Sequence, residues 1–532
     1  MTKRVLKKKA LLLDTAVRNP ERFPAFLSAL KQFEGTIFDE DIARQIAISL
    51  IKTREYNPQK ALKTVPSLHK YLKNEDEMTD EDATLAMEWA LDNLKGHSAK
   101  GFPKRSWGGR VVEWFALMQE LGAVRLNKGE KISFSKSGND MVRVYSDESV
   151  HNPDALIANF WLNGMMKLQP KSPFRSGIIE NRPFILMLKS IVRLKNLNGK
   201  DDPGLSRSEI SFLLNWNGSD EEEFVDFILD VRDKYGKQLS SDLVYDLVMH
   251  SEKMLSGESN TRFKKAQIVT EIVDDWMRKS RMTGIIQLRG LGRYLSILSE
   301  EMDKAKYIIE NYDVFNDEPD EDKYFTAIAN LDENVAFIET EKVTDHVDAK
   351  AKRINSIADD ISWKDLIHEF KVLGGGKLSS NNDIFKLIRD PLRLEFLSAI
   401  AMRKAFPDSN IEANYSADDE GLPKSTAIGD IPDLFIKELS TGATIEVTLQ
   451  TGKQQAVAEI PAISRHLKAM QERDNRDDYF SVFSAKTLHS DSIDLSQFYY
   501  FRDKMVISTY TVDDFAEKLS KVNKLEELKV LP

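Results

Sequence analysis

The sequence predicts a multidomain chain: mostly α, winged-helix-like domains in the N-terminal half, a helical linker, and an α/β domain at the C-terminal end. Three observations predict it. With 532 residues the chain exceeds one hydrophobic core and implies about three or four domains. Two stretches dense in Lys and Arg each carry a helical run followed by short β-prone runs. The last quarter alternates short β-branched and aromatic runs with segments of helical spacing. The expected divisions are 1–150, 151–298, a linker at 299–378, and 379–532.

Composition narrows the class. Cysteine is absent, which excludes a disulfide framework and a thiolate zinc site. No apolar run approaches 18 residues, and the basic start MTKRVLKKK leads only into Ala-Leu-Leu-Leu before Asp14, too short for a secretory core. The expectation is a cytoplasmic protein of a prokaryotic cell with no membrane partner. The net charge of −10 is unevenly spread, so it does not exclude a polyanionic partner.

From Lys100 to Arg143 there are nine basic residues against four acidic ones, the kind of local excess that phosphate contacts need. A helix over 110–121 runs through Leu121-Gly122 into VRLN and KISFS, joined by the turn Asn127-Lys128-Gly129. Helix followed by β-wing is the layout of a winged helix. Candidate DNA contacts here are Lys104, Arg105, Arg110, Lys128 and Lys131. The pattern recurs at 262–295, where Arg262, Lys264, Lys265, Arg289 and Arg293 are the candidates. Ahead of it GLSRSEISFLLNW (204–216) has a helix-turn-helix entry, with Ser206 as cap and Glu209 as its box partner. Two tandem readers suit a short asymmetric site on double-stranded DNA, since a monomer needs no two-fold axis. The plainer alternative is ordinary surface charge, with Trp107, Trp114 and Trp216 as core residues.

From Glu300 to Asp322 the balance inverts to ten acids and two lysines, and the Pro-interrupted NDEPDED predicts an exposed loop or linker kept off the duplex by repulsion. Helical spacing resumes over 345–371, and Gly374-Gly375-Gly376 marks a hinge before the last domain. There Pro391 starts a helix presenting Glu395. YFSVFSAKTL and KMVISTYT extend the sheet, and TVDDFAEKLSKV closes the chain as a helix capped by Thr511.

The chemistry concentrates in IGDIPDLFIKELSTGATIEVTLQTGKQQAVAEIPAISRHL (428–467). DLFIKEL and ATIEVTL form a hairpin across Ser440-Thr441-Gly442, and folding it back brings Asp433 and Glu446 to one end of a sheet. Two hard carboxylate donors on adjacent strands suit Mg²⁺, with Mn²⁺ as a substitute. The carbonyl of Val447 is a candidate third ligand. Glu459 and His466, seven apart, share a face of a helix over 454–470, in which Pro461 marks a start or kink. Taken singly, each acid has a bland alternative as a solvated edge charge and His466 as a structural histidine. Nucleases of the commonest kind with this layout carry Lys two positions after the second acid; here that position is Thr448, and Gln450 and Lys453 are the nearby substitutes.

NYSADDEGLPKSTAIGDIPD (414–433), IEVTLQTGKQQ (445–455) and AEIPAISRHL (458–467) together resemble the AlwI family of type II restriction endonucleases, which includes nicking enzymes. The resemblance spans about 390–515 and implies a FokI-like layout, with DNA-reading domains first and a PD-(D/E)XK nuclease domain last. In that family Thr stands where the lysine would be. Carried over, its acids fall on Glu395, Asp433, Glu446 and Glu459; Lys453 or His466 would orient water or phosphate. For Glu395 the structural alternative is a salt bridge to Arg389 or Arg393.

The expected function is therefore a Mg²⁺-dependent, sequence-specific DNA endonuclease of type IIS, cutting outside a short asymmetric site. Double-strand cleavage would need a second catalytic subunit or a transient homodimer, and the cell a cognate DNA methyltransferase. The rival expectations are a strand-specific nicking enzyme, the large subunit of a heterodimeric restriction enzyme, a non-cleaving DNA-binding regulator, and a structural subunit dependent on another chain.

Overall fold

The computed structural model describes residues 17, 19–72, 77–93, 107–147, 150, 153–174, 181–199, 202–290, 292–313, 318–337, 347–375, 378–382, 384–426, 431–452 and 455–531. The chain divides into two compact units, 1–341 and 342–532. No helix among the described residues is long and apolar enough to cross a membrane.

The first unit is helical, with small β elements. Helices Phe23–Lys31 (α1), Glu40–Lys52 (α2), Asp80–Asn93 (α3) and Trp107–Glu120 (α4) precede a hairpin of Val124–Arg125 (β1) and Ser133–Phe134 (β2). The hairpin forms where the sequence places it, and its loop lies along a second segment: Phe38 N–H donates to the Glu130 carbonyl and Gly129 N–H to the Phe38 carbonyl. At Gly122 the backbone turns with φ +77°, and a Cβ there would sit 2.8 Å from the Ala329 nitrogen. Only glycine fits both conditions. Helices Lys136–Ser146 (α5), Pro153–Lys167 (α6) and Pro183–Asn198 (α7) follow.

Next come Leu205–Ser206 (β3), the helices Arg207–Asn215 (α8), Glu221–Tyr235 (α9), Ser241–His250 (α10) and Ile272–Met282 (α11), and the hairpin Ile286–Arg289 (β4) with Tyr294–Ile297 (β5). β3 joins the hairpin to make an antiparallel sheet ordered β3-β5-β4. The capping box is present: the Ser206 side chain accepts from Glu209 N–H and the Glu209 carboxylate accepts from Ser206 N–H. Trp114 and Trp216 are buried, the core alternative of the sequence reading.

The acidic stretch divides. Its first part forms the helix Met302–Tyr312 (α12), which buries Ala305, Ile308 and Tyr312, whereas within NDEPDED residues 318–320 carry no helix or strand and are exposed or half-buried, as expected, ahead of Glu321–Ala329 (α13). Apolar residues at intervals of three and four gave α12 a buried stripe that the charge count concealed. Acids of the stretch also find cations: Arg125 pairs with Glu321 at 2.9 Å and with Asp322 at 2.6 Å.

The second unit begins with helices Val347–Asp360 (α14) and Trp363–Leu373 (α15), which pack on Asp390–Ala405 (α16). The glycine run read as a hinge therefore lies between elements of one unit. Behind α16 come Asn410–Ala413 (β6), the small hairpin Ser416–Ala417 (β7) and Pro423–Ser425 (β8), then Leu434–Lys437 (β9), Gly442–Thr448 (β10), Ile460–Asp474 (α17), Phe480–Ala485 (β11), Ser490–Asp503 (α18), Ile507–Thr511 (β12) and Val512–Leu519 (α19). The sheet is mixed and five-stranded, ordered β12-β11-β10-β9-β6. β12, β11 and β10 run parallel, whereas β10-β9 and β9-β6 are antiparallel. Parallel strands need a crossover, which α17 and α18 supply. α17 lays Ile460 and Ile463 against Phe483, Ala485 and Ile507, and Leu467 and Met470 against Phe435 and Tyr479. β10, buried over its first five residues, is the central strand that carries Glu446. The edge strand β6 and the β7-β8 hairpin had no counterpart in the sequence reading.

Candidate active site

The β9-β10 hairpin sets the two strand acids side by side. Its register pairs Leu434 with Ile445, so the next step outward brings Asp433 opposite Glu446 at the end of the sheet. The Pro-Asp pair is pinned from β6: Asn414 N–H donates to the Asp433 carbonyl at 2.9 Å, and Asn414 Nδ2 to the Pro432 carbonyl at 2.7 Å. Asp433 Oδ2 accepts from Val447 N–H at 2.8 Å, which ties the carboxylate to the neighbouring strand.

Glu446 is buried and its Oε1 lies 2.8 Å from Nδ1 of His466, also buried, on α17. The seven-residue spacing put His466 on a face with Glu459; its hydrogen-bond partner is Glu446, reached across the sheet-helix interface. Glu459 ends a π-helical turn, Gln455–Glu459, that leads into α17, with Pro461 in the first turn of the helix. Such turns occur often at functional sites because the extra residue re-aims a side chain. Thr448 Oγ1 donates to Glu459 Oε1 at 3.4 Å and accepts from Gln450 N–H at 3.1 Å. Thr448 thus organises the third acid instead of supplying a charge.

The electrostatics follow from this crowding. Burial, then the charges of Glu446 and Glu459, push the Asp433 carboxyl well above the ordinary carboxylate range, against the lowering hydrogen bond from Val447. Burial and the charge of Glu459 raise Glu446 in the same way. Glu459 thus disfavours the ionised form of both strand acids, and Glu446 that of Asp433. Among the described residues no group of three or more His, Asp or Glu side chains is arranged to hold one ion by itself.

Glu395 lies buried on α16, where it and Asp418 act on the buried Tyr415 hydroxyl, which desolvation raises far above its usual range. Arg393 directs its guanidinium to Asp390 and to the Phe385 carbonyl. Lys453 lies outside the described residues. Gln455, two positions on, is buried, and its side chain donates to the carbonyls of Gln450 and Thr487 and accepts from His489 N–H. Neither Asn414 nor Gln455 was singled out from the sequence, because their partners are remote in the chain and leave no local signal.

Of the candidate DNA contacts, Lys104 and Arg105 fall outside the described residues. Lys128, Lys131, Arg262, Lys264 and Arg293 are exposed. Arg110 faces Glu113, Arg262 faces Glu258 and Lys265 faces Asp242. Arg289 reaches the Asp202 carbonyl at 3.4 Å. Lys279, within the same basic stretch, is fully buried and paired with Asp275 at 2.7 Å.

Residues 376–517 match the model of the AlwI restriction endonuclease family. The matched segment contains Glu395, Asp433, Glu446, Glu459 and His466, and it supports a nuclease of the restriction type. The search of curated proteins gave no match. Among solved structures, the small subunit of the heterodimeric restriction endonuclease R.BspD6I is 19% identical over 30% of this chain and 77% of its own, with a TM-score of 0.25. Restriction endonuclease FokI is 9% identical over 95% of this chain and 96% of its own, TM-score 0.24. FokI bound to DNA is 12% identical over 93% of each chain, TM-score 0.21. Likenesses of this size carry no argument about the arrangement of this chain.

Proposed function

We propose that the chain is a sequence-specific DNA endonuclease that binds a short asymmetric site through its first unit and hydrolyses a phosphodiester bond outside that site. The observation that carries this reading is the meeting of Asp433 and Glu446 from adjacent strands with Glu459 from a π-helical turn, inside the segment matched to an endonuclease family.

The residues fit a hard divalent cation, Mg²⁺ or Mn²⁺. Every charged donor is a carboxylate oxygen, and desolvated acids that repel one another call for a cationic partner. Mg²⁺ takes one or two protein carboxylates and completes its shell with water and phosphate oxygens, so three converging acids are not required. Asp433 and Glu446 would hold it, with the Val447 carbonyl as a third ligand and Glu459 turned toward a second ion or its water. When bound, the ion would polarise the phosphoryl group and lower the pKa of the attacking water.

The chain's own groups orient this set. Val447 N–H fixes the rotamer of Asp433, His466 fixes that of Glu446, and the Thr448 hydroxyl holds Glu459. Lys453 is assigned to water or phosphate and Glu395 to support from α16. One such cluster cuts one strand, which favours a nicking enzyme, or one half of a two-subunit cutter, as the second reading. In the cell such an activity would go with a cognate methyltransferase that protects the host DNA.

The test is to incubate purified protein with supercoiled plasmid and Mg²⁺ and to sequence the ends formed. The reading expects breaks at a fixed distance from one short sequence. Plasmid left intact with both Mg²⁺ and Mn²⁺, under conditions where the protein binds it, would reject cleavage and leave a regulator.

A further inference from the structure

The element directly ahead of the β4-β5 hairpin is a continuous rod in which the π-helical turn Gln267–Glu271 runs into α11. Its inner side is filled by Ile268, Ile272, Val273, Trp276 and Met277, all buried, against α6 and α8. Its outer side presents Gln267, Thr270, Glu271, Asp274, Arg278 and Arg281, exposed or half-buried, at intervals of three and four that keep them on one face.

The two ends of this stripe are basic. Arg262, Lys264 and Lys265 lie on the approach to the π-helical turn. Along the stripe, Asp274 pairs with Arg207, and Arg207 N–H donates to the Arg293 carbonyl at 3.0 Å. That chain of contacts fixes the β4-β5 turn, with Arg289 and Arg293, beside the rod. Between the basic shoulders, the tip carries Gln267, Thr270 and Glu271. Gln can make paired hydrogen bonds to adenine, Glu can accept from the amino group of cytosine, and the Thr methyl can meet that of thymine. Cations flanking a neutral and acidic tip match phosphate rails flanking base edges.

The neighbouring helices do not offer this. α8, the helix with the helix-turn-helix signal, is buried at every residue from Glu209 to Asn215, so it has no face for a groove. α9 opens with Glu221, Glu222 and Glu223, which phosphates repel. A helix about 10–12 Å across fits a major groove of about 12 Å.

We propose that the rod 267–282 is the element that enters the DNA major groove, and that Gln267, Thr270 and Glu271 select bases while Lys264, Arg289 and Arg293 grip phosphates. This rests on the reading of the chain as a DNA endonuclease and deepens it by naming its specificity-determining residues.

The test is selection of bound duplexes from a randomised pool by the full chain without divalent metal, for wild type, Gln267→Ala, Glu271→Gln and Lys264→Ala. Gln267→Ala and Glu271→Gln should each relax preference at one base position by roughly 5–150-fold and keep their affinity for non-specific DNA, which also shows that they fold. Lys264→Ala should weaken all sequences alike and reduce the salt slope by about one. Unchanged base preference in both tip variants would overturn the assignment and leave the endonuclease reading standing. Absence of any salt-sensitive DNA binding by wild type would instead overturn that reading, and the assignment with it.

Discussion

Asp433 is where burial, repulsion and hydrogen bonding meet. Its carboxyl is raised by desolvation first and by Glu446 and Glu459 after that. A carboxyl raised on folding contributes stability while protonated and loses it as pH climbs from the ordinary carboxylate range toward the folded value. At neutral pH and without metal the acid cluster therefore weakens the fold. Asp433→Asn keeps the shape and removes one charge, so its metal-free melting temperature at pH 7 should exceed that of wild type, by calorimetry. An equal or lower value would mean that the hydrogen bond from Val447 outweighs the repulsion. At this scale much was legible, because a Pro-Asp pair, a turn and an acid on a β-branched run fix the strand register. The partner of His466 was not, since it depends on how α17 settles on the sheet.

Elements show what local pattern can and cannot tell. The Ser206-Glu209 box was readable from four consecutive residues, but its role in packing was not. Glu209 also pairs with Arg232 of α9 through Nε at 2.7 Å and Nη2 at 2.8 Å, and Arg232 donates to the Gly204 carbonyl. Both side chains are buried. Arg232→Ala strands a buried carboxylate and should cost about 3–5 kcal/mol in denaturant unfolding; a loss under 1 kcal/mol would show the pair to be dispensable. The end of α13 has a similar device. Lys167 of α6 donates to the carbonyls of Ala327 and Asn330, and burial lowers its pKa to about 8. A lysine depressed on folding carries more protons unfolded than folded between about 8 and 10.5, so this site gains stability as pH rises through that window, by at most about 1.4 kcal/mol per unit. Lys167→Met should flatten that gain relative to wild type; parallel pH curves would contradict it. In the acidic stretch composition located the exposed segment around Pro319 but concealed the three- and four-residue spacing that folds α12.

At the scale of the whole molecule, net charge misleads and its distribution informs. Ten excess negative charges coexist with exposed Lys128, Lys131, Lys264 and Arg293. The order of motifs put the sheet with its acids last among four expected divisions, whereas the chain divides into two compact units. Where the units divide could not be argued from that order, because helices 347–373 resemble a spacer in sequence yet pack on α16. With one acid cluster of this kind among the described residues, nicking should be first order in protein. Conversion of nicked to linear plasmid should rise more steeply with protein concentration if a second copy makes the second cut. Linearisation that is first order from the lowest concentrations would contradict a single cutting site per chain.

The account's central claim is that Asp433 and Glu446 carry the cleavage of DNA. The most direct measurement is plasmid nicking in Mg²⁺ by wild type, Asp433→Asn and Glu446→Gln, with DNA affinity determined on the same preparations. The account predicts that both variants bind DNA as wild type does and cut at no detectable rate. Cleavage by either variant at the wild-type rate would contradict it.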